Sequence, residues 1–310
     1  FGGMDNSTAH FPDGHFVNWV PGKRASELAE GLAWLIPAHA DLVVQLHMMP
    51  SGLEEIIDPQ IGLYFADEPP KLSPQMIWLG SRWLPIAAGD TNFMTRDSYE
   101  LPFDVGVLSV LPHCHFICKD IKAWAILPDG SQQWLARIDE WDFYGQNESR
   151  FKRPLSLPRG TTLTMEFGYD NSANNERNPN NPPQDIEFGP LSSNEMADLW
   201  IQVLPRNEGE SESLGRFSAR HLQQRGIERQ ERLIERELDV NSYIDLARSY
   251  RRAGQLDKAV TRLQEALQFA PENTRVLQSL AIALTDVGRH DEALEHWRRC
   301  VQLTPNDSRV

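Results

Sequence analysis

The chain is poor in several things that would each have fixed its class. It has 310 residues and only three cysteines, Cys114, Cys118 and Cys300, too few for a disulfide framework and neither requiring nor excluding an exported location. Positive charge is in deficit: 30 Lys and Arg stand against 44 Asp and Glu, a formal net charge of −14. A surface of that sign repels a phosphate backbone and an anionic bilayer, so nucleic acid is not an expected partner. No apolar run approaches the ~18–20 residues of a membrane span; Asp41–His47 is short and broken by Gln45. A nucleophile elbow, a Walker loop, a dinucleotide fingerprint and paired Cys-x-x-Cys zinc ligands are all missing. The first residue is Phe1 rather than Met, so the sequence reads as a fragment or a processed chain in which a missing leader carries little weight.

What is present begins with a repeat. Ala253-Gly254 recurs 34 residues later as Val287-Gly288, Ala259 as Ala293 and Pro271 as Pro305. Eight positions match between two units. The first has Tyr243, Leu246, Ala247, Tyr250, Ala259, Leu263, Ala266 and Pro271; the second has Leu277, Leu280, Ala281, Leu284, Ala293, Trp297, Cys300 and Pro305. Small residues let paired antiparallel helices approach, and Gly254 and Gly288 permit the turn between them. Residues 240–310 resemble the tetratricopeptide repeat. Two such repeats bury little alone, so they either pack on a neighbouring domain or belong to a longer array. They admit a protein partner in a groove, or serve only for packing. Residues 206–239 are polar and charged, and read as a disordered start followed by a charged connecting helix.

Residues 1–205 carry a different pattern. Short runs at 41–46, 61–65, 75–79, 105–111, 123–127, 133–138, 161–169 and 199–204 alternate with turn signals such as Pro128-Asp-Gly130 and Pro158-Arg-Gly160. Many short strands with regular turns predict a β-sandwich or jelly roll. The Asn- and Pro-rich run 170–184 is too long for a tight turn and reads as a surface loop.

The chemistry-bearing candidates are few. His113 and His115 in Pro112-His-Cys-His115 stand two apart, which on a strand puts both rings on one face and within reach of one metal. Cys114 then points to the other face, and it and Cys118 read as structural. Met196 is by default a core filler; joined to two imidazoles, its soft thioether would favour copper, Cu(I) above all. His47 shares a strand face with Val43 and Gln45, and alone is a satisfied interior histidine more often than a ligand. His10, His15 and His39 lie near turn residues without ligand spacing.

Taken in order, Val44-Gln-Leu-His47, Gly62-Leu-Tyr-Phe65, Pro112-His-Cys-His115, Pro128-Asp-Gly130, Trp141-Asp-Phe143, Tyr169-Asp-Asn-Ser172 and Ser193-Asn-Glu-Met196 resemble the copper type II, ascorbate-dependent monooxygenase family, in its bacterial form, over about residues 15–205. The resemblance implies a mainly β jelly-roll fold with a helical tail. Residues 1–68 would be the end of a truncated first sandwich, 69–205 a second copper sandwich, 206–239 a charged linker and 240–310 the two repeats. It implies an enzyme that hydroxylates a C–H bond of an organic substrate with O2 and a reductant such as ascorbate. His113, His115 and Met196 would be the oxygen-activating copper ligands and His47 one ligand of a second, electron-relaying copper. The intact protein would hold two coppers and this chain one complete site, in a periplasmic or exported setting. Gln45 and Asp198 are candidates to orient the imidazoles.

Several positions depart from that family. The chain has no adjacent His-His pair, Cys118-Lys119 stands where a Gly-Lys is usual, and Met49 replaces a further histidine. Leu111, Asp198 and Trp200 occupy the positions that hold a peptide carboxylate in the amidating members. The alternative is a non-catalytic copper-binding protein or an interaction scaffold working through its repeats.

Overall fold

The computed structural model describes residues 31–34, 36, 38–39, 41, 44, 46, 48, 51–236 and 238–305. It divides into two compact units: residues 1–80, 87–184 and 197–215, and residues 81–86, 185–196 and 216–310.

The first unit is built on strands β1 (Gln75–Ser81), β2 (Phe93–Glu100), β3 (Val105–His113), β4 (Cys118–Ile126), β5 (Gln132–Ile138), β6 (Ser149–Leu157), β7 (Thr162–Tyr169) and β8 (Ala197–Leu204). They form two four-stranded sheets of order β1-β8-β3-β6 and β2-β7-β4-β5. The registered pairs are antiparallel, such as Tyr99 opposite Leu163 and Lys122 opposite Glu166. Alternation explains the edge strand β2, whereas edge strand β1 buries five residues in a row and the central strands bury both faces: Leu163, Met165, Phe167 and Tyr169 of β7 and Leu199, Ile201 and Val203 of β8 are sealed from solvent, but so are Thr164 and Asp198. Pro128-Asp-Gly130 makes the expected turn. Gly130 has a positive φ of 82°, Leu127 N–H donates to Ser131 O at 2.9 Å, and Asp129 accepts from Ser131 N–H and O–H. The lone pairs of the Asp129 carboxylate are thereby engaged, which holds its pKa below the usual value.

Two strands have no counterpart among the predicted runs. β2 and β6 carry the charges Arg96, Asp97, Arg150, Lys152 and Arg153, and β6 contains Pro154. Pro154 is tolerated because β6 lies at a sheet edge, where the β3 register jumps between Val107 and Ser109. Conversely, the predicted run 61–65 forms no strand: Tyr64 is 95% exposed and Phe65 81%. Alternation alone does not make a strand without a neighbouring backbone to pair with. The 170–184 segment is more than a surface loop. Asn171 is fully buried and donates its side-chain amide to Ala87 O at 3.0 Å and Gln184 O at 2.8 Å.

The helices are α1 (Glu208–Arg236), α2 (Val240–Arg252), α3 (Leu256–Phe269), α4 (Thr274–Asp286) and α5 (His290–Leu303). α1 begins where disorder was expected. Arg206 bonds Glu210 at 2.9 Å and Asn207 Oδ1 accepts from Glu210 N–H, while Glu208 and Glu210 sit at the positive end of the helix dipole. Asp239 and Asn273 cap α2 and α4 through their side chains. At the two predicted turns, Gly254 and Gly288 take φ of 73° and 79°, and Gln255 N–H and Arg289 N–H reach back to Tyr250 O and Leu284 O. The repeat positions Tyr243, Leu246, Ala247, Tyr250, Ala259, Leu263 and Ala266, with Leu280, Ala281, Leu284 and Ala293, enter one buried cluster that also takes Ile227 and Ile234 of α1. The segments 81–86 and 185–196 belong to this unit as well. Ile86 and Ile186 bridge, and Arg236 pairs with Glu187 at 3.2 Å and lies over the Trp83 ring.

The expectation of a mainly β jelly-roll chain with a truncated first sandwich is corrected by this architecture. The five helices hold more residues than the eight strands. Each sheet has a linear order with two edges and neither closes on itself. Among the described residues no strand precedes Gln75. The structure is two open four-stranded antiparallel sheets followed by a helical array.

Candidate functional site

Two places gather the chemistry singled out in the sequence. The first lies where β3 runs into β4. His113 ends β3 opposite Asp198 of β8. The rings of His113 and His115 come together edge-on, with centroids 5.2 Å apart and planes at 80°. His115 is buried and Cys114 between them is wholly so; both follow the end of β3 at His113. The backbone here is fastened by Trp141, whose Nε1–H donates to His115 O at 3.1 Å and whose N–H donates to Lys119 O. Arg177 in turn donates to Trp141 O. A turn follows at Phe143–Gly145, capped by Asp142, and it stacks Phe143 against Phe116 at 4.4 Å and edge-on to His115 at 5.9 Å.

The residue that orients His113 is Gln146, which sequence reasoning missed. Gln146 Nε2 donates to Phe143 O at 2.8 Å, so its Oε1 is the atom facing His113 Nδ1 at 2.5 Å. An amide oxygen only accepts, so Nδ1 carries the proton and Nε2 of the neutral ring keeps its lone pair. Asp198, opposite His113 in the sheet, accepts from Trp78 Nε1 at 2.7 Å. The available signal for Gln146 was the Asp142 cap, which sets where the turn ends. Met196 falls in the segment 185–196 of the other unit; its N–H bonds Glu195. His10, His15, Gln45 and His47 lie outside the described residues.

The second place is the pair of neighbouring helices α2 and α4. Arg275 donates to Asn241 Oδ1 at 2.6 Å, and Arg251 pairs with Asp286 at 2.6 Å, so polar ties join the two helices near both ends. Between them lie the exposed Asp245, Arg248 and Ile282. With Arg252 this surface has four arginines against three aspartates, since Asp239 at the start of α2 interacts with Arg275 and Arg248 pairs with Asp245 at 3.0 Å, on a chain whose net charge is −14. Behind it, Tyr250 donates its hydroxyl to Glu231 of α1. Burial and then that carboxylate raise the phenol to about 12, so it stays a donor at any physiological pH. These surface positions are the ones the repeat pattern leaves out, and they were readable from its register.

A family model described as the tetratricopeptide repeat matches residues 245–310. The curated BBSome complex member BBS4 of Bos taurus is 32% identical over 66 residues, covering 21% of this chain and 13% of that protein. The chain thus spans a small part of the relative it matches. Among solved structures, a crystal structure of MamA overlays with a TM-score of 0.26 at 22% identity, over 28% of this chain and 52% of that one. A structure of the infectious bursal disease virus Gx strain does so with a TM-score of 0.23 at 12% identity, over 47% and 36%. At those scores neither likeness bears on fold or function.

The tetratricopeptide domain expected at the end of the chain is therefore present. The copper monooxygenase identity, and the oxidoreductase activity with ascorbate that it implied, are corrected: the family match falls on the helical repeats. Among the described residues no group of three or more His, Cys, Asp or Glu side chains is placed to hold a metal ion. The resemblance rested on short segments whose residues turn out to have architectural work. Trp141 and Asp142 fasten and cap a turn, and Asn171 clamps two carbonyls. Among the described residues no helix is long and apolar enough to cross a membrane.

Proposed function

We propose that the protein is a non-catalytic interaction scaffold that binds an acidic, extended segment of another protein along the neighbouring faces of α2 and α4. The observation that carries this reading is the charge of that surface. Arg248, Arg251, Arg252 and Arg275 outnumber Asp239, Asp245 and Asp286, and exposed Ile282 supplies an apolar contact between them. A helical-repeat face of this kind reads a peptide through charge and a few side-chain pockets. The test is fluorescence anisotropy with labelled twelve-residue peptides alternating Glu and Leu, or Lys and Leu. Binding of the acidic peptide, weakened at least tenfold by Arg248→Glu with Arg252→Glu and reduced by salt, is expected. Equal binding of both peptides, or indifference to the charge reversal, refutes the reading.

A second reading adds copper, held without catalysis by His113 and His115. It is favoured by the Gln146 contact, which leaves the lone pair of the neutral His113 ring on Nε2, and by the 5.2 Å between the centroids of the two imidazoles. Imidazole nitrogen suits copper, and a partner that fixes the tautomer is what metal-binding histidines require. Metal analysis after dialysis should find about one copper per chain. That copper should be lost in the His113→Ala, His115→Ala double variant. Retention of copper by the double variant would refute the pair as its site.

A further inference from the structure

Within the second unit, α1 and the two short segments that pack on it enclose an open cleft of about 260 Å3, solvent at its mouth included. Three arginines line it, Arg82, Arg229 and Arg236, with Glu187 as the one carboxylate among the described lining residues. Two of them are stacked on aromatic rings: Arg82 lies 4.8 Å from the Phe188 centroid and Arg236 5.4 Å from that of Trp83. Glu187 is matched to Arg236 at 3.2 Å. The segments that carry these side chains are fastened by their backbones. Ile86 and Ile186 exchange hydrogen bonds of 2.9 Å, Glu195 N–H donates to Glu187 O at 3.1 Å, and Ser81 Oγ accepts from Trp83 N–H at 3.2 Å. Arg229 is the arginine without a match. The residues three and four positions to either side of it on α1 are Arg225, Gly226, Arg232 and Leu233, so the helix supplies no carboxylate where one would pair with it. Among the described residues Arg229 makes no hydrogen bond or ion pair, and it is half-buried. A guanidinium drawn partly out of water beside two others, in a chain of net charge −14, is unfavourable until an anion joins it.

We infer that this cleft binds a small organic phosphate monoester, with its phosphate on Arg82, Arg229 and Arg236 and its organic body against Leu84 and Leu233. A guanidinium stacked on a ring is held in its plane while its N–H edge stays available, and that fork is the geometry that grips an oxyanion. Three arginines against one glutamate leave two positive charges. A phosphate monoester near neutral pH carries roughly that charge with the opposite sign, and has three oxygens to share among three forks. Leu84 and Leu233 also line the cleft and give the body of the ligand an apolar wall. The volume falls below the ~300 Å3 at which drug-sized sites begin, so the body is small, on the scale of a single ring. The site uses none of the residues of the α2–α4 surface.

The experiment is isothermal titration of the 310-residue chain with phenyl phosphate. Saturable one-to-one binding is expected. Arg229→Gln should weaken it at least tenfold, and Arg229→Lys, which keeps the charge and loses the fork, should fall between the two. Arg229 has no partner to lose among the described residues, so thermal melts should show both variants folded. Two controls separate a built site from general attraction. Arg232→Gln removes an exposed charge one turn further along α1 and should change the affinity less than threefold. Arg248→Glu with Arg252→Glu should leave it unchanged, so that failure of the acidic-peptide reading and failure of this one are distinguishable. No binding up to about 10 mM, an affinity too weak for a specific contact, overturns the inference. So does a loss in Arg232→Gln as large as in Arg229→Gln. Inorganic phosphate bound as tightly as phenyl phosphate overturns the apolar wall, and succinate bound as tightly overturns the phosphate in favour of a dicarboxylate.

Discussion

The two units differ in how closely their sequence pattern is tied to their structure. In the helical unit most of the positions that recur every 34 residues are buried, Trp297 partly and the exposed Pro271 and Pro305 excepted, and the glycines predicted to turn the chain have positive φ. In the strand unit the correspondence is looser. Two of eight strands arise from charged stretches, and one alternating run pairs with nothing. The difference is one of contact range. A helix satisfies its own backbone and meets its neighbour within a few dozen residues, so the repeat carries most of the information. A strand is defined by partners far along the chain, as β3 is by β8 almost a hundred residues later.

The largest expected effect breaks the helical side of the comparison. Leu280 is fully buried in the cluster shared by the helices, and Leu280→Ala should cost about 2–5 kcal/mol. Denaturant unfolding followed at 222 nm would show it. A loss below about 1 kcal/mol would mean that the repeats are not packed as described. On the strand side, Asn171→Ala strips donors from Ala87 O and Gln184 O in a buried setting. It should cost about 1–3 kcal/mol, measured as a shift in denaturation midpoint, whereas Asn180→Ala on the same segment should change little.

Smaller is the contact between Tyr250 and Glu231. Tyr250→Phe keeps the buried ring and removes only the hydroxyl donor, so a loss of about 1 kcal/mol is expected; Tyr250→Leu, which follows the second repeat, should cost more if the ring volume matters. The smallest effect is a pH dependence. Burial lowers the His296 pKa below its usual 6.5, against opposing pulls from Glu295 and Glu292. The unfolded chain then binds the proton more readily. Stability contributed by the neutral ring is therefore present above about 6.5 and lost as pH falls from there through the lowered folded value. Thermal melts between pH 7.5 and 5.5 should show that decline, shallower in His296→Gln.

The candidate sites follow the same division. The α2–α4 surface is what remains when the core positions of the repeat are subtracted, so it could be read without coordinates. The histidine pair was legible only in part. Their spacing predicts one strand face, but β3 ends at His113, and the group that sets the His113 tautomer comes from a capped turn thirty-three residues away. Asp198, nearer in the sheet, accepts a hydrogen bond from Trp78. The family resemblance failed for a related reason. Trp141-Asp-Phe143 and Tyr169-Asp-Asn-Ser172 were weighed as marks of a catalytic family, whereas Trp141 and Asp142 hold and cap a turn and Asn171 clamps two carbonyls, work that many β proteins need.

By itself the sequence determined the helical repeats, their turns at Gly254 and Gly288, their core, and the acidity of the chain. Those properties depend on local periodicity and composition, which a linear string contains in full. Tertiary structure decided the rest: that charged stretches with a proline become edge strands, that an Asn-rich run is a buried clamp, and that Gln146 rather than Asp198 reaches His113. Each of these turns on which distant backbone or side chain arrives to accept a hydrogen bond or exclude water, and no spacing within the chain encodes that arrival.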